Sequence, residues 1–374
     1  MRVIFFIRSL EVGGAERQMA NLAVNLHARG HEISVVTMYD YGAIAEDLRR
    51  NDIQVFSLNK QHRWQFLQPL FRLRRLVKKI SPDVLHSYGP EVNIFALCDR
   101  FIGGRYRLVW GVRNAGLNRK MYGRFEQLLY KAECRLSTVP DLIIANSDAG
   151  KKLSVTDGFS PERLVVIKNG IDTEKNYPDP LLRKAQRAEW AVDDKKTVIG
   201  LIGRIDPQKD HKNFISAIAQ LPDQQKEDLK IVCAGYRNET QISDLRAFAR
   251  DLQVEEKFIW EKHDGRVVKI LNGLDILVSA SNAEGFSNVL AEGLAVGLPC
   301  VATDVGDSKS IVREFGLIVP AADPAALSRA ITEALANPAF FSNVFAQTAR
   351  EHIVRNFSIE ALGQRTETAL KVII

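Results

Sequence analysis

Residues 3–37 read VIFFIRSLEVGGAERQMANLAVNLHARGHEISVVT. Val3 to Ile7 is a short run of β-branched and aromatic residues, which suits a strand buried on both faces. Gly13-Gly14 follows in a loop. From Ala15 to Ala28 the apolar residues Met19, Leu22, Ala23 and Leu26 recur at helical spacing, and Gly30 stops the helix. Ile33 to Thr37 is a second strand. Strand, glycine loop, helix and strand make one βαβ unit, which implies a parallel sheet.

The same alternation continues outward. Strands are expected at Val55–Leu58, Val84–His86, Leu108–Val112 and Leu142–Asn146, separated by helices near 67–79, 93–99 and 125–136. It pauses over 173–194, where Pro178, Pro180 and many charges read as an interdomain connection. It restarts with a strand at Thr197–Ile202 and runs through strands at Lys230–Ala234, Phe258–Trp260, Ile276–Ser279, Cys300–Thr303 and Gly316–Val319. The expected fold class is α/β: two Rossmann-like, doubly wound domains, 1–172 and 195–355, facing a central cleft. A terminal helix in 356–374 could pack back on the first domain. A chain of 374 residues exceeds what one core usually holds, so two domains fit its length.

Hydrophobic residues make up 46% and charged residues 26%, an ordinary globular balance. Cys98, Cys134, Cys233 and Cys300 show neither zinc nor disulfide spacing, which fits a reducing compartment. Met1–Ile7 is too short for a secretory h-region and runs straight into Arg8 and Glu11. No apolar run reaches the length of a membrane span. Residues 1–172 hold 26 Lys and Arg against 17 Asp and Glu, while the remainder is slightly acidic. A basic first half points to an anionic partner: nucleic acid, membrane phospholipid or a phosphorylated acceptor.

Three stretches can carry chemistry. The first, Glu284-Gly-Phe-Ser-Asn-Val-Leu-Ala-Glu292, follows a strand and opens a helix. Ser287 or Asn288 suits the N-cap, and Gly297 suits the position just past the end. Free amides at that helix start could hold a phosphate without a metal, with Glu284 in the loop above and Glu292 within reach of a polyol. Alternatively Glu284 caps a turn and Glu292 is a solvated helix residue. The second stretch runs from Gly203-Arg204 to Lys209, then His211, Lys212 and Asn213. Arg204 can grip a phosphate bidentately and Lys209 adds a point charge, although such charges also decorate ordinary surface loops. The third is Gly13-Gly14, where missing side chains let a ligand approach the backbone. It lacks the rest of the dinucleotide fingerprint.

Together these stretches resemble glycosyltransferase family 4, the retaining nucleotide-sugar glycosyltransferases of GT-B fold. Val12-Gly13-Gly14-Ala15-Glu16-Arg17 is similar to the family's opening loop, and Gly203-Arg204 through Asn213 to its diphosphate motif. Glu284 through Glu292, followed by Gly297, Pro299, Thr303, Asp304 and Gly306, is similar to its donor signature. The resemblance implies that Arg204 and Lys209 hold the donor diphosphate, Glu284 the sugar hydroxyls and Glu292 the ribose. Gly14 would approach the phosphates, and Gly285, Phe286, Ser287 and Asn288 would line the sugar-phosphate site. It implies no cofactor and no metal for the chemistry, a nucleotide-sugar (UDP-sugar) donor, and a lipid-linked or saccharide acceptor in bacterial surface polysaccharide or glycolipid synthesis. Departures occur on the acceptor side. Trp110-Gly-Val-Arg113-Asn114 replaces a common histidine, so Arg113 and Asn114 would bind substrate oxygens. His86-Ser87-Tyr88 keeps one histidine of a pair, where His86 either faces the acceptor or is structural. Ser310 stands where a glutamate is common.

Lys60 to Lys79 holds seven basic residues and no acid, interleaved with Trp64, Phe66, Leu67 and Phe71, and Arg119–Lys131 adds more of both kinds. Such a stretch either lies on anionic lipid or packs on the sheet with its basic chains in water. The first reading gives a cytoplasmic protein held peripherally on the cytoplasmic face of the inner membrane. Nucleic acid is disfavoured because no recognised binding module is present. A nucleotide-sugar epimerase, a non-catalytic nucleotide-sugar-binding protein and a dinucleotide-dependent oxidoreductase remain as rivals.

Overall fold

The computed structural model describes residues 1–11, 13–62, 64–113, 123–262 and 265–374. They form two compact units, one of residues 1–170 with 359–374 and one of residues 171–358.

The first unit is built on strands β1 (Arg2–Ile7), β2 (Glu32–Thr37), β3 (Gln54–Ser57), β4 (Val84–Tyr88), β5 (Arg107–Val112), β6 (Leu142–Ala145) and β7 (Leu164–Val166). All pair in parallel, in the order β3-β2-β1-β4-β5-β6-β7. Side chains alternate across a strand, so β1 feeds two cores. Val3, Phe5 and Ile7 meet Met19, Leu22 and Leu26 of the helix Gly14–Ala28 on one face. Ile4 and Phe6 meet Leu70, Leu73 and Val77 of the helix Leu67–Ile80 on the other. The helix Ile359–Ile373 also belongs to this unit. Gly363 lies so close to the first helix that an added Cβ would come within 1.8 Å of Asn25 Oδ1.

The second unit carries β8 (Thr197–Ile202), β9 (Leu229–Tyr236), β10 (Phe258–Lys262), β11 (Ile276–Ser279), β12 (Cys300–Thr303) and β13 (Gly316–Val319). Their order is β10-β9-β8-β11-β12-β13, again parallel. Within each unit the first strand lies beside the fourth, so the winding direction reverses there. Crossovers diverge at that switch point and leave a crevice at the carboxyl ends of the two strands.

Two sequence expectations change. The stretch 173–194 is not a bare connection, because it carries the helix Pro180–Glu189 and lies wholly in the second unit. Asp179 caps that helix, accepting from the Leu181 and Leu182 amides. Its Arg187 is only 2% exposed and reaches Asp275 at 3.1 Å, the Asp193 carbonyl at 2.8 Å and the Gly273 carbonyl at 3.3 Å. Asp275 also receives Arg183 at 2.6 Å and the Val198 amide at 2.7 Å, which ties the helix to the start of β8.

The basic stretch also differs from a free amphipathic surface. Lys60 is 4% exposed, with its ammonium against the Glu91 carboxylate. Arg72 donates to the Leu58 carbonyl at 2.6 Å and Arg74 to the Gly103 carbonyl at 2.6 Å. Arg75, Lys78 and Lys79 are exposed, as are Trp64, Leu67 and Phe71. Arg63 and the first residues of Arg119–Lys131 lie outside the described residues. Among those described, no helix is long and apolar enough to cross a membrane.

Arg187→Met removes the cation from a buried pair and strips donors from several carbonyls. Breaking such a pair costs on the order of 3–5 kcal/mol. The second unit should therefore unfold at clearly lower urea, followed by Trp190 fluorescence. A loss under about 1 kcal/mol, the worth of one ordinary hydrogen bond, would contradict the anchoring role.

Candidate functional site

In the second unit the expected site residues sit at the carboxyl ends of β8 and β11, the two strands of the switch point. The β8 loop begins at Gly203 and turns on Asp206, whose carboxylate accepts the Gln208 amide at 3.0 Å and the Lys209 amide at 3.2 Å. Asp206 also faces Arg204 at 3.4 Å, and Arg204 remains 69% exposed. Asp210 then adopts a left-handed conformation (φ 45°) and caps the helix His211–Ala219 through the Asn213 amide. The turn chemistry of one short motif therefore holds Arg204 in solvent and sends Lys209 back over Gly203.

The β11 loop meets this one side by side. Lys209 Nζ pairs with Glu284 Oε1, which also accepts from Ser281 Oγ at 2.9 Å. The Asn282 amide donates to the Gln208 carbonyl at 2.8 Å, and Gln208 Nε2 to the Ala283 carbonyl at 2.6 Å. Thr303, at the end of β12, donates its hydroxyl to the Ser281 carbonyl at 2.6 Å. Gly306 has φ +58°, and a Cβ there would fall 2.4 Å from the Gly285 carbonyl oxygen. Its neighbour Asp307 donates its amide to that same oxygen at 2.9 Å. Three loops thus fix the backbone from Glu284 to Ser287.

The helix Asn288–Ala295 starts here, and Gly297 (φ +83°) stands just past its end as expected. Ser287 occupies the N-cap position but makes no capping bond, and its buried Oγ has no hydrogen-bond partner. The first amides of an α-helix have no intrahelical acceptor, so this end offers donors and partial positive charge. Phe286 is buried against Phe357, 5.4 Å between rings, and anchors the helix start in the core. Glu292 lies one turn in and is partly exposed.

Sequence reasoning assigned no structural role to several neighbours. Gln208, Ser281, Asn282 and Thr303 hold the loops together, and their place next to the motifs was the available signal. His211 is buried with its Nε2 unpartnered, and both polar side-chain atoms of Asn213 are unpartnered as well. Burial lowers the His211 pKa to about 4, with Asp206 opposing, so the ring is neutral at pH 7.

In the first unit the candidates gather at the carboxyl ends of β4 and β5. His86 is buried, stacked on Tyr88 with 4.4 Å between rings. Burial, with the Arg113 charge adding to it, brings its pKa down to about 3, so the ring is uncharged at neutral pH. Arg113 donates to Asn169 Oδ1 at 2.5 Å and lies 5.4 Å from the Tyr88 ring centre. Gly111 leaves room for Tyr88, since a Cβ there would sit 2.7 Å from the ring. His86, Arg113 and Asn146 border a void of about 10 Å³, about the volume that one water needs. Asn114 lies outside the described residues. Gly14 opens the helix after β1, and its neighbour Gly13 is extended at that helix's N-cap. A second cluster at this edge was missed: Tyr39 donates to Glu91 at 3.1 Å, beside Lys60 and the exposed Arg8.

Known proteins match this arrangement. Residues 183–352 match the family model described as glycosyl transferases group 1, and residues 12–175 match that described as glycosyltransferase family 4. An N-acetylgalactosamine-N,N'-diacetylbacillosaminyl-diphospho-undecaprenol 4-alpha-N-acetylgalactosaminyltransferase from Campylobacter jejuni is 30% identical over 329 residues, 84% of either chain. The capsular polysaccharide biosynthesis glycosyltransferase CapM of Staphylococcus aureus is 24% identical, covering 81% of this chain and 80% of its own. Among solved structures, Anabaena HepE in complex with UDP-glucose superposes over the full length of both chains with a TM-score of 0.86 at 20% identity, a likeness of fold. The chain belongs to glycosyltransferase family 4 and is a glycosyltransferase of GT-B type.

Proposed function

We propose that this glycosyltransferase moves a hexose or N-acetylhexosamine-type sugar from a UDP-sugar to a lipid-linked or saccharide acceptor, with retention of configuration, in bacterial surface polysaccharide or glycolipid synthesis. The observation that carries the proposal is the meeting of the β8 and β11 loops. Lys209, Glu284 and the start of the helix Asn288–Ala295 occur together at a strand-order reversal. In this reading the donor diphosphate lies against the amides of Phe286, Ser287 and Asn288, with Ser287 Oγ as a further partner. Arg204, exposed and loosely held, swings onto the phosphates, and Lys209 adds its charge from the other side. Leaving-group charge grows as the glycosidic bond breaks, so fixed cations and amides stabilise the transition state more than the ground state. No metal ion is invoked.

Glu284 takes the sugar hydroxyls, because its paired carboxylate is held at the loop crest. Glu292 takes the ribose, and Gly14 with Gly285 allows close approach. His86 is neutral and buried, so it is proposed to support the acceptor side through Tyr88 and Arg113 rather than to move a proton. Arg113, with Asn114 beside it in sequence, is proposed to contact acceptor oxygens. The diphospho-undecaprenol named for the Campylobacter relative supports a lipid-linked acceptor, and UDP-glucose on the Anabaena protein supports a UDP donor. The exposed Trp64, Leu67 and Phe71 with Arg75, Lys78 and Lys79 support attachment of the first unit to an anionic membrane surface, on the cytoplasmic side.

Arg204→Ala and Lys209→Ala should each lower turnover about a hundredfold, as expected when one strong contact to developing charge is lost. Melting temperatures and steady-state assays decide this, and near-wild-type turnover in both folded variants would remove the diphosphate role. Glu292→Ala should weaken UDP binding by calorimetry, whereas Glu284→Ala should lower turnover more than UDP affinity. Unchanged UDP affinity in Glu292→Ala would refute the ribose contact. A hydrolysis screen over UDP-, GDP- and ADP-sugars should favour UDP, and a clear preference for another nucleotide would replace it.

A further inference from the structure

The amino-terminal edge of the first unit's sheet carries a hollow of about 810 Å³. Arg2 and Arg107 open β1 and β5 there, and Asp83 immediately precedes β4. The hollow therefore lies at the opposite end of the strands from Tyr88 and Arg113. Six basic side chains line it, Arg2, Arg74, Lys78, Arg100, Arg105 and Arg107, against the single carboxyl side chain of Asp83. Several are held in place. Arg74 is fixed on the Gly103 carbonyl and lies 3.8 Å from buried Asp99. Arg107 pairs with Asp141 at 3.0 Å, and Arg2 lies 3.9 Å from Asp83. Among the described residues, Lys78 and Arg105 have no carboxylate partner. Asp83, Asp99 and Asp141 offset the other four cations, since Arg100 also lies 3.9 Å from Asp141, so the charges left for an outside anion are those of Lys78 and Arg105.

Exposed apolar residues adjoin the lining segments along the chain. Phe101 and Ile102 stand between the lining residues Arg100 and Gly103 in the chain, 69% and 53% exposed. On the helix Leu67–Ile80, Leu67, Phe71, Arg74 or Arg75, and Lys78 recur at helical spacing along one stripe. That stripe passes from exposed apolar residues to the basic hollow. A free phosphate or a polyphosphate gains nothing from these exposed apolar neighbours. An amphiphile with an anionic head fits both parts, with acyl chains beside Phe71, Phe101 and Ile102 and phosphate among the arginines.

We infer that this hollow is a headgroup site for an anionic phospholipid, and that it fixes how the first unit lies on the membrane. The inference rests on the proposed membrane attachment and deepens it by naming the residues and the ligand class.

Co-sedimentation at low salt uses vesicles of phosphatidylcholine alone and of phosphatidylcholine with phosphatidylglycerol. The wild-type chain should bind the mixed vesicles and not the neutral ones. Each basic residue near an anionic surface strengthens binding about fivefold, so Lys78→Glu with Arg105→Glu should weaken it by roughly 25-fold or more. Both side chains are exposed, so melting should be unchanged. Phe71→Ala with Phe101→Ala should also weaken binding. If the charge-reversed variant binds like wild type while the Phe variant does not, the headgroup site is wrong and membrane attachment stands. If the wild type ignores mixed vesicles, both are wrong. If inorganic pyrophosphate binds the hollow by calorimetry but vesicles do not bind, it is a soluble-anion site and the lipid assignment is overturned.

Discussion

Lys209 and Glu284 meet across the point where the strand order of the second sheet reverses. In a parallel sheet the crossovers on either side of that point lead away from it, so the two loops above it have no helix to cover them. The ion pair and the three hydrogen bonds between residues 207–208 and 282–283 close that gap. Without them Arg204 and the start of the helix Asn288–Ala295 would have no fixed relation. The pair is partly open to solvent, so its contribution to stability is modest. Its value lies in geometry: it presents a cation, a carboxylate and a helix start together.

The helix start is the other half of that constraint. Several helix N-termini among the described residues are sealed by a side chain, as Asp210, Asn238, Asp323 and Ser342 illustrate. Ser287 stands at the corresponding position, and its side chain makes no capping bond. A buried hydroxyl with no partner costs free energy unless a ligand or water completes it. Gly306 and Asp307 press on this segment from β12, so the local cost is held by backbone packing rather than relieved by a turn of the serine.

Much of this was legible in the sequence because it rests on local pattern. Val3–Ile7 and Thr197–Ile202 declare buried parallel strands by composition, and the glycines at 30 and 297 mark helix ends through their positive φ. The motifs at 203–213 and 284–292 pointed to the two loops that the second unit brings side by side. What stayed hidden depends on partners distant in sequence. Lys60 reads as one charge of a basic run, yet Glu91, 31 residues on, buries it. Arg187 sits in a polar, proline-containing stretch that looks like a linker, and only Asp275, 88 residues away, reveals an anchored helix. Ser287 has the right residue type for a cap, and nothing local tells that its hydroxyl would stay unpaired. His86 could not be assigned between ligand contact and core until Tyr88 and Gly111 were seen packed around it.

The claim on which the account turns is that the crevice between the β8 and β11 loops receives the nucleoside diphosphate. Amide hydrogen exchange with and without saturating UDP tests it directly, because it reads the backbone donors themselves. The account predicts slower exchange at residues 203–209 and 285–290, strongest at the helix start. Saturating UDP that leaves both segments unchanged, or that protects only residues of the first unit, would contradict it.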